Sequence, residues 1–208
     1  MASQQHGFDW ENEVRVKVFG LEPEKNNTKK YDIPGSRNKF DNNENISIKT
    51  TKSNCIYCGD ITRMFNCDLD KKCTIFVIKY NQSEKHKTIE YIYEIDYNEE
   101  CHKLLFGNLP EDEIKTYVKG VKSIPRNVKG YKAKEIYNYL VEKKKLSTKY
   151  NNIIQINPKV DSCQSRVQCS ISNFEKTLKK FIIYKSTQEA PNMIRGQEIS
   201  MSLDSSKR

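Results

Sequence analysis

Residues 74–96 read TIFVIKYNQSEKHKTIEYIYEID, and this stretch decides the fold. Two runs rich in Ile, Val, Tyr and Phe, Thr74 to Tyr80 and Thr88 to Asp96, flank the polar segment Asn81 to Lys87. β-Branched and aromatic residues favour strands, and a short polar segment between two such runs is typical of a hairpin. The stretch therefore predicts two antiparallel strands within a central sheet.

Helices and further strands are predicted on both sides of this hairpin. Residues 8–19 predict a helix, because Trp10, Val14 and Val18 recur at a spacing that places them on one face. Further helices are predicted at 98–106, 111–119, 131–146 and 173–180, and further strands at 30–33, 45–51, 152–156, 166–171 and 181–184. This order indicates an α+β or mixed α/β fold, with a central mixed sheet flanked by helices.

The composition favours one domain and a polyanionic partner. With 208 residues, of which 36% are hydrophobic, we expect a single domain over residues 1–185 and a loose polar tail over 186–208, where 193–203 offers one more strand. Within the domain, we expect a catalytic core at about 8–96 and DNA-recognition elements at about 120–185. The net charge of +9 points to nucleic acid, although the abundance of Lys together with Asn also fits a general surface bias.

Several classes of protein are disfavoured. No window has the apolar length of a membrane span, and Met1 to Gly7 lacks the apolar centre of a signal peptide, so we expect an intracellular protein. Seven cysteines, an odd number, fit reduced thiols better than a fully paired set. No glycine-rich phosphate loop is present, and the three histidines are scattered at positions 6, 86 and 102.

Two short segments carry the residues that phosphodiester hydrolysis needs. They are YDIP at residues 31–34 and NISIKTT at residues 45–51. Strand alternation directs Ser47 and Lys49 to one face, opposite the isoleucines between them, and Asp32 ends the preceding short strand. Mg²⁺ prefers oxygen ligands such as carboxylates, and a nearby lysine offsets charge and orients water. The pattern is therefore typical of a metal-dependent nuclease centre.

This arrangement resembles the PD-(D/E)-x-K nuclease superfamily, which includes most Type II restriction endonucleases. The resemblance covers about residues 8–60 by motif, and it implies that Asp32 is the first acid and Lys49 the lysine. Ser47 stands where the family usually has a second acid. The resemblance implies that Asp60, from the following helix, supplies that acid and that Glu11 completes the metal site from the N-terminal helix.

Three other acids remain as alternatives for these positions. Asp41 is an alternative first acid, because some family members have a shorter spacing. Glu44 is a poorer substitute for the second acid, since strand alternation points it away from Lys49. Glu13 competes with Glu11.

The resemblance also implies a cofactor and partners. It implies Mg²⁺, a double-stranded DNA substrate with a short, palindromic site, and a homodimer whose two-fold symmetry matches that of the site. A cognate DNA methyltransferase is implied as the functional partner that protects host DNA.

A second segment favours DNA recognition. In NPKVDSCQSRVQC, residues 157–169, alternation places Gln164, Arg166 and Gln168 on one face. Arg pairs with guanine and Gln with adenine in the major groove, although an ordinary solvent-facing strand explains the pattern equally well. Further candidate DNA contacts are Lys159, Arg37 and Asn38. Lysines that would hold phosphates without reading sequence are Lys129, Lys132, Lys134, Lys143, Lys144 and Lys145.

The cysteines permit an alternative function. Cys55, Cys58, Cys67 and Cys73 lie within a short stretch and are candidate ligands for a structural Zn²⁺. Zinc is the less favoured metal, because the second pair has a wider spacing than zinc sites prefer and because Cys73 runs into the central hairpin. The alternative function is a zinc-stabilised nucleic-acid-binding protein without catalysis.

Overall fold

The computed structural model describes residues 9–24, 29–84, 86–125, 136, 146–160 and 165–204. The contacts between residues divide the chain into two compact units. The composition, in contrast, predicts a single domain over residues 1–185. The first unit contains Met1–Ile56, Asp68–Asn98 and Asn173–Arg208, and the second contains Tyr57–Cys67 and Glu99–Ser172. Each unit is therefore assembled from segments that are distant in sequence.

The chain alternates between strands and helices, as an α+β fold requires. The described strands are β1 (Glu44–Thr51), β2 (Cys55–Asp60), β3 (Lys72–Gln82), β4 (His86–Asp96), β5 (Gln155–Val160), β6 (Ser165–Ser172), β7 (Ile182–Lys185), β8 (Met193–Ile194), β9 (Gln197–Glu198) and β10 (Ser202–Asp204). The longer described helices are α1 (residues 9–18), α2 (Ile61–Phe65), α3 (Glu99–Phe106) and α4 (Glu111–Lys122). Shorter helical turns are Gly35–Arg37, Leu146–Lys149, Phe174–Thr177 and Lys179–Phe181.

The first unit contains a five-stranded mixed sheet. Its order is β1-β3-β4-β10, and β7 also pairs with β4. β1 runs parallel to β3, whereas β3 pairs with β4, and β4 with β7 and β10, in antiparallel fashion. The predicted central hairpin is confirmed, since β3 and β4 are its two strands. The described residues therefore show a mixed α+β architecture with a central mixed sheet.

One face of this sheet is covered by α1. Trp10, Val14 and Val18 are fully buried and pack with Ile46 and Phe76 in one apolar cluster, so the predicted helix and its apolar face are confirmed. The second half of α1, Val14–Val18, is a π-helix. Burial of this apolar stripe is the main stabilising term for a helix that is too short to be stable alone.

The expectation of a loose C-terminal tail is wrong for residues 186–204. Ile194 and Ile199 are buried in the core of the first unit, and β10 pairs with the edge of β4. The indole Nε1 of Trp10 donates a hydrogen bond to the carbonyl of Ser200 at 3.1 Å. The segment looks polar in sequence because its apolar residues are few and widely spaced. Ile194 and Ile199 nevertheless pack within the core.

The second unit contains a three-stranded sheet with the order β2-β6-β5. β5 and β6 are antiparallel, and α4 packs against both. Ile114, Tyr117, Val118 and Val121 form the buried side of α4, which confirms the helix predicted at 111–119. The helix predicted at 98–106 is confirmed by α3. Most of the helix predicted at 131–146 lies outside the described residues.

No helix of the described part of the chain combines the length and the apolar character needed to cross a membrane.

Candidate functional site

The short segment around Ile33 places Asp32 on the polar face of β1. Ile33 and Ile46 form an antiparallel bridge, with N–H to carbonyl distances of 3.0 and 2.8 Å, and both side chains are fully buried. Neighbouring side chains of an extended chain point to opposite sides. Asp32 therefore points away from the core, towards the side on which Ser47 and Lys49 lie.

Asp32 and Lys49 both bind the backbone of Ile48. Asp32 Oδ2 accepts a hydrogen bond from the Ile48 N–H at 2.6 Å, and Lys49 Nζ donates to the Ile48 carbonyl at 3.0 Å. Lys49 Nζ also lies 3.5 Å from Asp32 Oδ2. Because β1 ends the sheet, these side chains satisfy backbone groups that face away from β3. The carboxylate and the ammonium group are thus fixed relative to each other while both stay partly exposed, at 13% and 24%.

Arg15 anchors the segment that carries Asp32. Its guanidinium is 1% exposed and donates to the carbonyls of Asp32 and Glu22, and it pairs with the Glu24 carboxylate at 3.1 Å. A buried arginine costs free energy unless its donors are satisfied, and here the backbone carbonyls of two loops satisfy them. The sequence offered one signal that we missed, namely an arginine between two valines of a predicted apolar helix.

Tyr31 fixes the other side of Asp32. The Tyr31 hydroxyl accepts a hydrogen bond from the Asp68 N–H at 2.8 Å, and the Cys73 thiol lies 4.0 Å from it. The same thiol lies 3.3 Å from the Asp68 carbonyl. Asp32 is therefore held between a buried arginine and an anchored tyrosine.

The two glutamates of α1 differ in their surroundings. Glu11 is half-buried and lies one turn before Arg15 on the same side of the helix. Glu13 accepts hydrogen bonds from the N–H and the hydroxyl of Ser200 at 3.1 and 2.9 Å, and it pairs with Lys17 at 2.6 Å. Burial opposes ionisation of Glu13, but the bonds from Lys17 and Ser200 outweigh it and lower the pKa. Glu13 therefore ties α1 to the C-terminal segment.

Glu44 belongs to a buried ion cluster instead of the polar face. It is fully buried, it pairs with both terminal nitrogens of Arg195 at 2.7 and 2.8 Å, and Thr74 donates to it at 2.6 Å. Arg195 also binds Glu94 at 2.9 Å. Burial raises the pKa of Glu44, but the hydrogen bonds from Arg195, Thr74 and Asn38 outweigh it and lower the pKa to about 2. This arrangement agrees with the expectation that Glu44 points away from Lys49.

Asp41 and Asn38 organise the loop before β1. Asp41 Oδ1 accepts from the Asn43 N–H at 2.9 Å. Asn38 is 5% exposed, and its amide donates to the Glu44 carboxylate at 2.9 Å. The expectation that Asn38 contacts DNA is therefore corrected, because its side chain is committed to the protein interior. The other loop candidate, Arg37, is 48% exposed and lies 3.7 Å from Glu24.

Asp60 lies in the second unit, where it is the N-cap of α2. Its Oδ1 accepts a hydrogen bond from the Arg63 N–H at 3.1 Å. Asp is among the preferred residues at this position because its oxygen satisfies an N–H that the helix leaves open. Capping α2 is thus the role that the structure shows for Asp60. Its assignment as the second catalytic acid stays a prediction.

The described residues match only part of a metal site. None of them form a group of three or more His, Cys, Asp or Glu side chains arranged to hold a metal ion. On the polar face of β1, Asp32 offers one carboxylate, and Ser47 lies on the same face. Mg²⁺ often takes one or two carboxylates, keeps several waters and shares substrate phosphates. Asp32 therefore fits a Mg²⁺ ion that would take most of its ligands from water and a bound phosphate.

The four candidate zinc ligands are divided between the units. Cys55 and Cys73 belong to the first unit, and Cys58 and Cys67 to the second. Cys73 is 4% exposed at the start of β3, where its thiol contacts the Asp68 carbonyl. Its burial is explained by packing and by this contact.

A second polar cluster on the sheet was not predicted. Val77 lies opposite Lys49 in the register, and Tyr93 lies opposite Val77. The Tyr93 hydroxyl donates to Glu175, which also pairs with Lys79 at 3.4 Å. Burial, followed by the carboxylate of Glu175, raises the pKa of Tyr93. The sequence gives no signal for this cluster, because Glu175 lies 82 residues from Tyr93 along the chain.

In the second unit, β5 and β6 present one apolar and one polar face. Val167 and Cys169 are fully buried, which leaves Arg166 and Gln168 on the opposite face. Lys159 lies directly across from Arg166 in the antiparallel register. The predicted alternation of β6 is therefore confirmed, whereas Gln164 lies outside the described residues.

Comparisons of the chain with protein-family models, with curated protein sequences and with solved structures each returned no match.

Proposed function

We propose that this protein is a Mg²⁺-dependent, site-specific endonuclease of double-stranded DNA, with a restriction-endonuclease-like catalytic core. The observation that carries the proposal is the fixed pair of Asp32 and Lys49, 3.5 Å apart on the polar face of β1. A carboxylate and a lysine held together at a sheet edge suit the binding and hydrolysis of a phosphodiester. The net charge of +9 supports a polyanionic substrate.

Each residue of the pair has a distinct task in this proposal. The Lys49 ammonium group would meet the negative charge that develops on the phosphate, and its bond to the Ile48 carbonyl keeps it oriented. Asp32 provides the carboxylate oxygen for the metal, and Arg15 and Tyr31 hold its segment in place. Mg²⁺, when bound, would supply Lewis-acid stabilisation and an activated water. Within the first unit, Ser47 and Glu11 remain the proposed residues that complete the centre.

The proposal includes partners and a location. The substrate is a short palindromic site, and a homodimer would present one catalytic centre to each strand of it. A DNA methyltransferase of matching specificity would protect the host DNA, and the protein would act inside the cell.

The direct test is digestion of a long, unmethylated natural DNA with and without Mg²⁺. Discrete fragments that need Mg²⁺ support a site-specific endonuclease, whereas a smear contradicts the specificity. Intact DNA on several unmethylated substrates contradicts the proposal. Stoichiometric zinc in that intact-DNA case would favour the zinc-stabilised binding protein.

A further inference from the structure

The polar face of the β5–β6 hairpin is organised in rungs of side chains that lie directly opposite each other. Lys159 lies opposite Arg166, and Asn157 lies opposite Gln168. Directly opposed residues of antiparallel strands share a face, with Cβ atoms about 4.5–5.5 Å apart. The face therefore carries a cationic rung next to a carboxamide rung.

The cationic rung points to an anionic or acceptor-rich ligand. Two basic residues share this rung, and a positively charged surface attracts anionic ligands. The Arg166 Nε is buried, and within the described part of the chain it has no hydrogen-bond acceptor. A buried donor without an acceptor is unfavourable, and a ligand whose acceptor reaches the Arg166 Nε would satisfy it.

The carboxamide rung is oriented by its neighbours. Asn157 Nδ2 donates to Ser170 Oγ at 2.8 Å, and Ser170 Oγ donates to Gln155 Oε1 at 3.1 Å. Ser170 is 1% exposed, so the hydroxyl at the centre of this chain of hydrogen bonds is buried, whereas Gln155 at its end is exposed. It fixes the Asn157 amide beside Gln168, which limits the loss of side-chain entropy when the rung binds a ligand.

We propose that these two rungs read base pairs in the major groove, with Arg166 on guanine and the Asn157–Gln168 rung on adenine. A two-stranded ribbon fits the major groove, Arg matches guanine O6 and N7, and Asn or Gln matches adenine N6 and N7. Residues two apart on a strand are separated by about 6.8 Å, which is two base-pair steps of about 3.4 Å. The bound site then contains a G·C and an A·T pair two steps apart. This inference rests on the proposed function, and it adds Asn157 to the specificity determinants.

Lys159 has a different task on this face. It is exposed near the end of β5, and its compact ammonium group suits a phosphate better than a base edge. Replacing it weakens binding to all sequences alike, whereas replacing Gln168 changes the sequence that is preferred.

The experiment is selection of bound duplexes from a randomised DNA pool by the full-length protein, in EDTA so that DNA is not cut. Wild type is expected to enrich G·C and A·T pairs two steps apart. Gln168→Ala is expected to lose the A·T preference, roughly 5- to 100-fold, and Arg166→Ala the G·C preference by a similar factor. Lys159→Ala keeps both preferences, and Gln188→Ala, an exposed glutamine of the first unit, is the matched control. Melting curves establish that each variant is folded.

Two outcomes overturn the inference, and they differ from the failure of the proposed function. An enriched sequence without the two pairs contradicts it, as does an A·T preference that survives both Gln168→Ala and Asn157→Ala. In either case, wild type that still cuts DNA into discrete fragments leaves the endonuclease proposal standing. Wild type that neither enriches nor cuts any duplex contradicts both.

Discussion

Lys49 Nζ lies 3.5 Å from Asp32 Oδ2, and both groups bind the backbone of Ile48, one at its N–H and the other at its carbonyl. The pair therefore has a structural task at the open edge of β1 in addition to the catalytic task that we propose. Variants must separate the two tasks, and the contacts indicate which substitutions do so.

Replacing Lys49 separates catalysis from binding. Lys49→Ala is expected to lower DNA cutting by about 100-fold or more, because the ammonium group that meets the developing charge is lost. DNA binding in EDTA should fall less than threefold, and the melting temperature should change little, because an ion pair with this exposure stabilises weakly. Cutting and binding assays on the same preparation check this.

The control for Lys49 is Lys52→Ala, an exposed lysine that follows β1. It should cut DNA almost as fast as wild type. If Lys49→Ala loses binding by the same factor as cutting, Lys49 is a DNA-recognition residue instead of a catalytic one.

Asp32 can be changed with or without loss of its hydrogen bond to Ile48. Asp32→Asn keeps an oxygen that accepts from the Ile48 N–H but removes the negative charge, so cutting should be lost while stability falls by less than about 1 kcal/mol. Asp32→Ala also removes the acceptor and should cost about 1–3 kcal/mol, since the N–H is left without it. Urea unfolding and DNA cutting distinguish the two variants. Full activity of Asp32→Asn would show that the carboxylate is dispensable.

The ion pair between Glu44 and Arg195 should make the free energy of unfolding depend on pH. The pKa of Glu44 is lowered from 4.5 to about 2 in the folded protein, so its ionised form is favoured by folding. Its contribution is fully present above 4.5 and is lost as pH falls towards about 2. Glu44→Gln is expected to destabilise the protein by about 3–5 kcal/mol at neutral pH, because Arg195 loses a buried ionic partner.

The measurement for Glu44 is the free energy of urea unfolding of wild type and Glu44→Gln at several pH values. The difference between them should narrow as pH falls from 4.5 towards about 2. Glu189→Gln, at an exposed position, is the control and should track wild type. A difference that stays constant across this range would mean that the cluster does not depend on the charge of Glu44.

The elements that the sequence predicts well are those with a local pattern. The spacing of Trp10, Val14 and Val18 predicts α1, and alternation predicts which residues of β1 face the core. The central hairpin follows from two apolar runs and a short polar segment. In each case, neighbours along the chain carry the signal.

The contacts that the sequence does not predict join distant segments. Arg195 and Glu44 are 151 residues apart, and no sequence pattern around either residue indicates that they pair. Arg195 also adopts a positive φ of 49°, which a residue of this type rarely does, and its two buried ion pairs offset that strain. In the candidate site, too, only the local feature is predicted. Alternation places Lys49 on the polar face, but nothing in the sequence indicates that Arg15 anchors Asp32.

The C-terminal segment is the part of the fold that the sequence describes least well, and Trp10 makes it testable. Trp10 is the single tryptophan, it is fully buried, and its indole N–H donates to the Ser200 carbonyl. A chain that ends at Asn192 lacks Ile194, Ile199 and β10, so Trp10 is expected to become hydrated. Its fluorescence emission should shift to longer wavelength, and the loss of two buried isoleucines should cost at least about 4 kcal/mol.

A chain that ends at Asp204 is the matched control, since it keeps β10 and every described contact of the segment. It should retain the emission maximum and the melting temperature of the full chain. If the chain that ends at Asn192 also retains both, residues 193–204 do not contribute to the core, and the prediction from the packing of Ile194 and Ile199 is wrong.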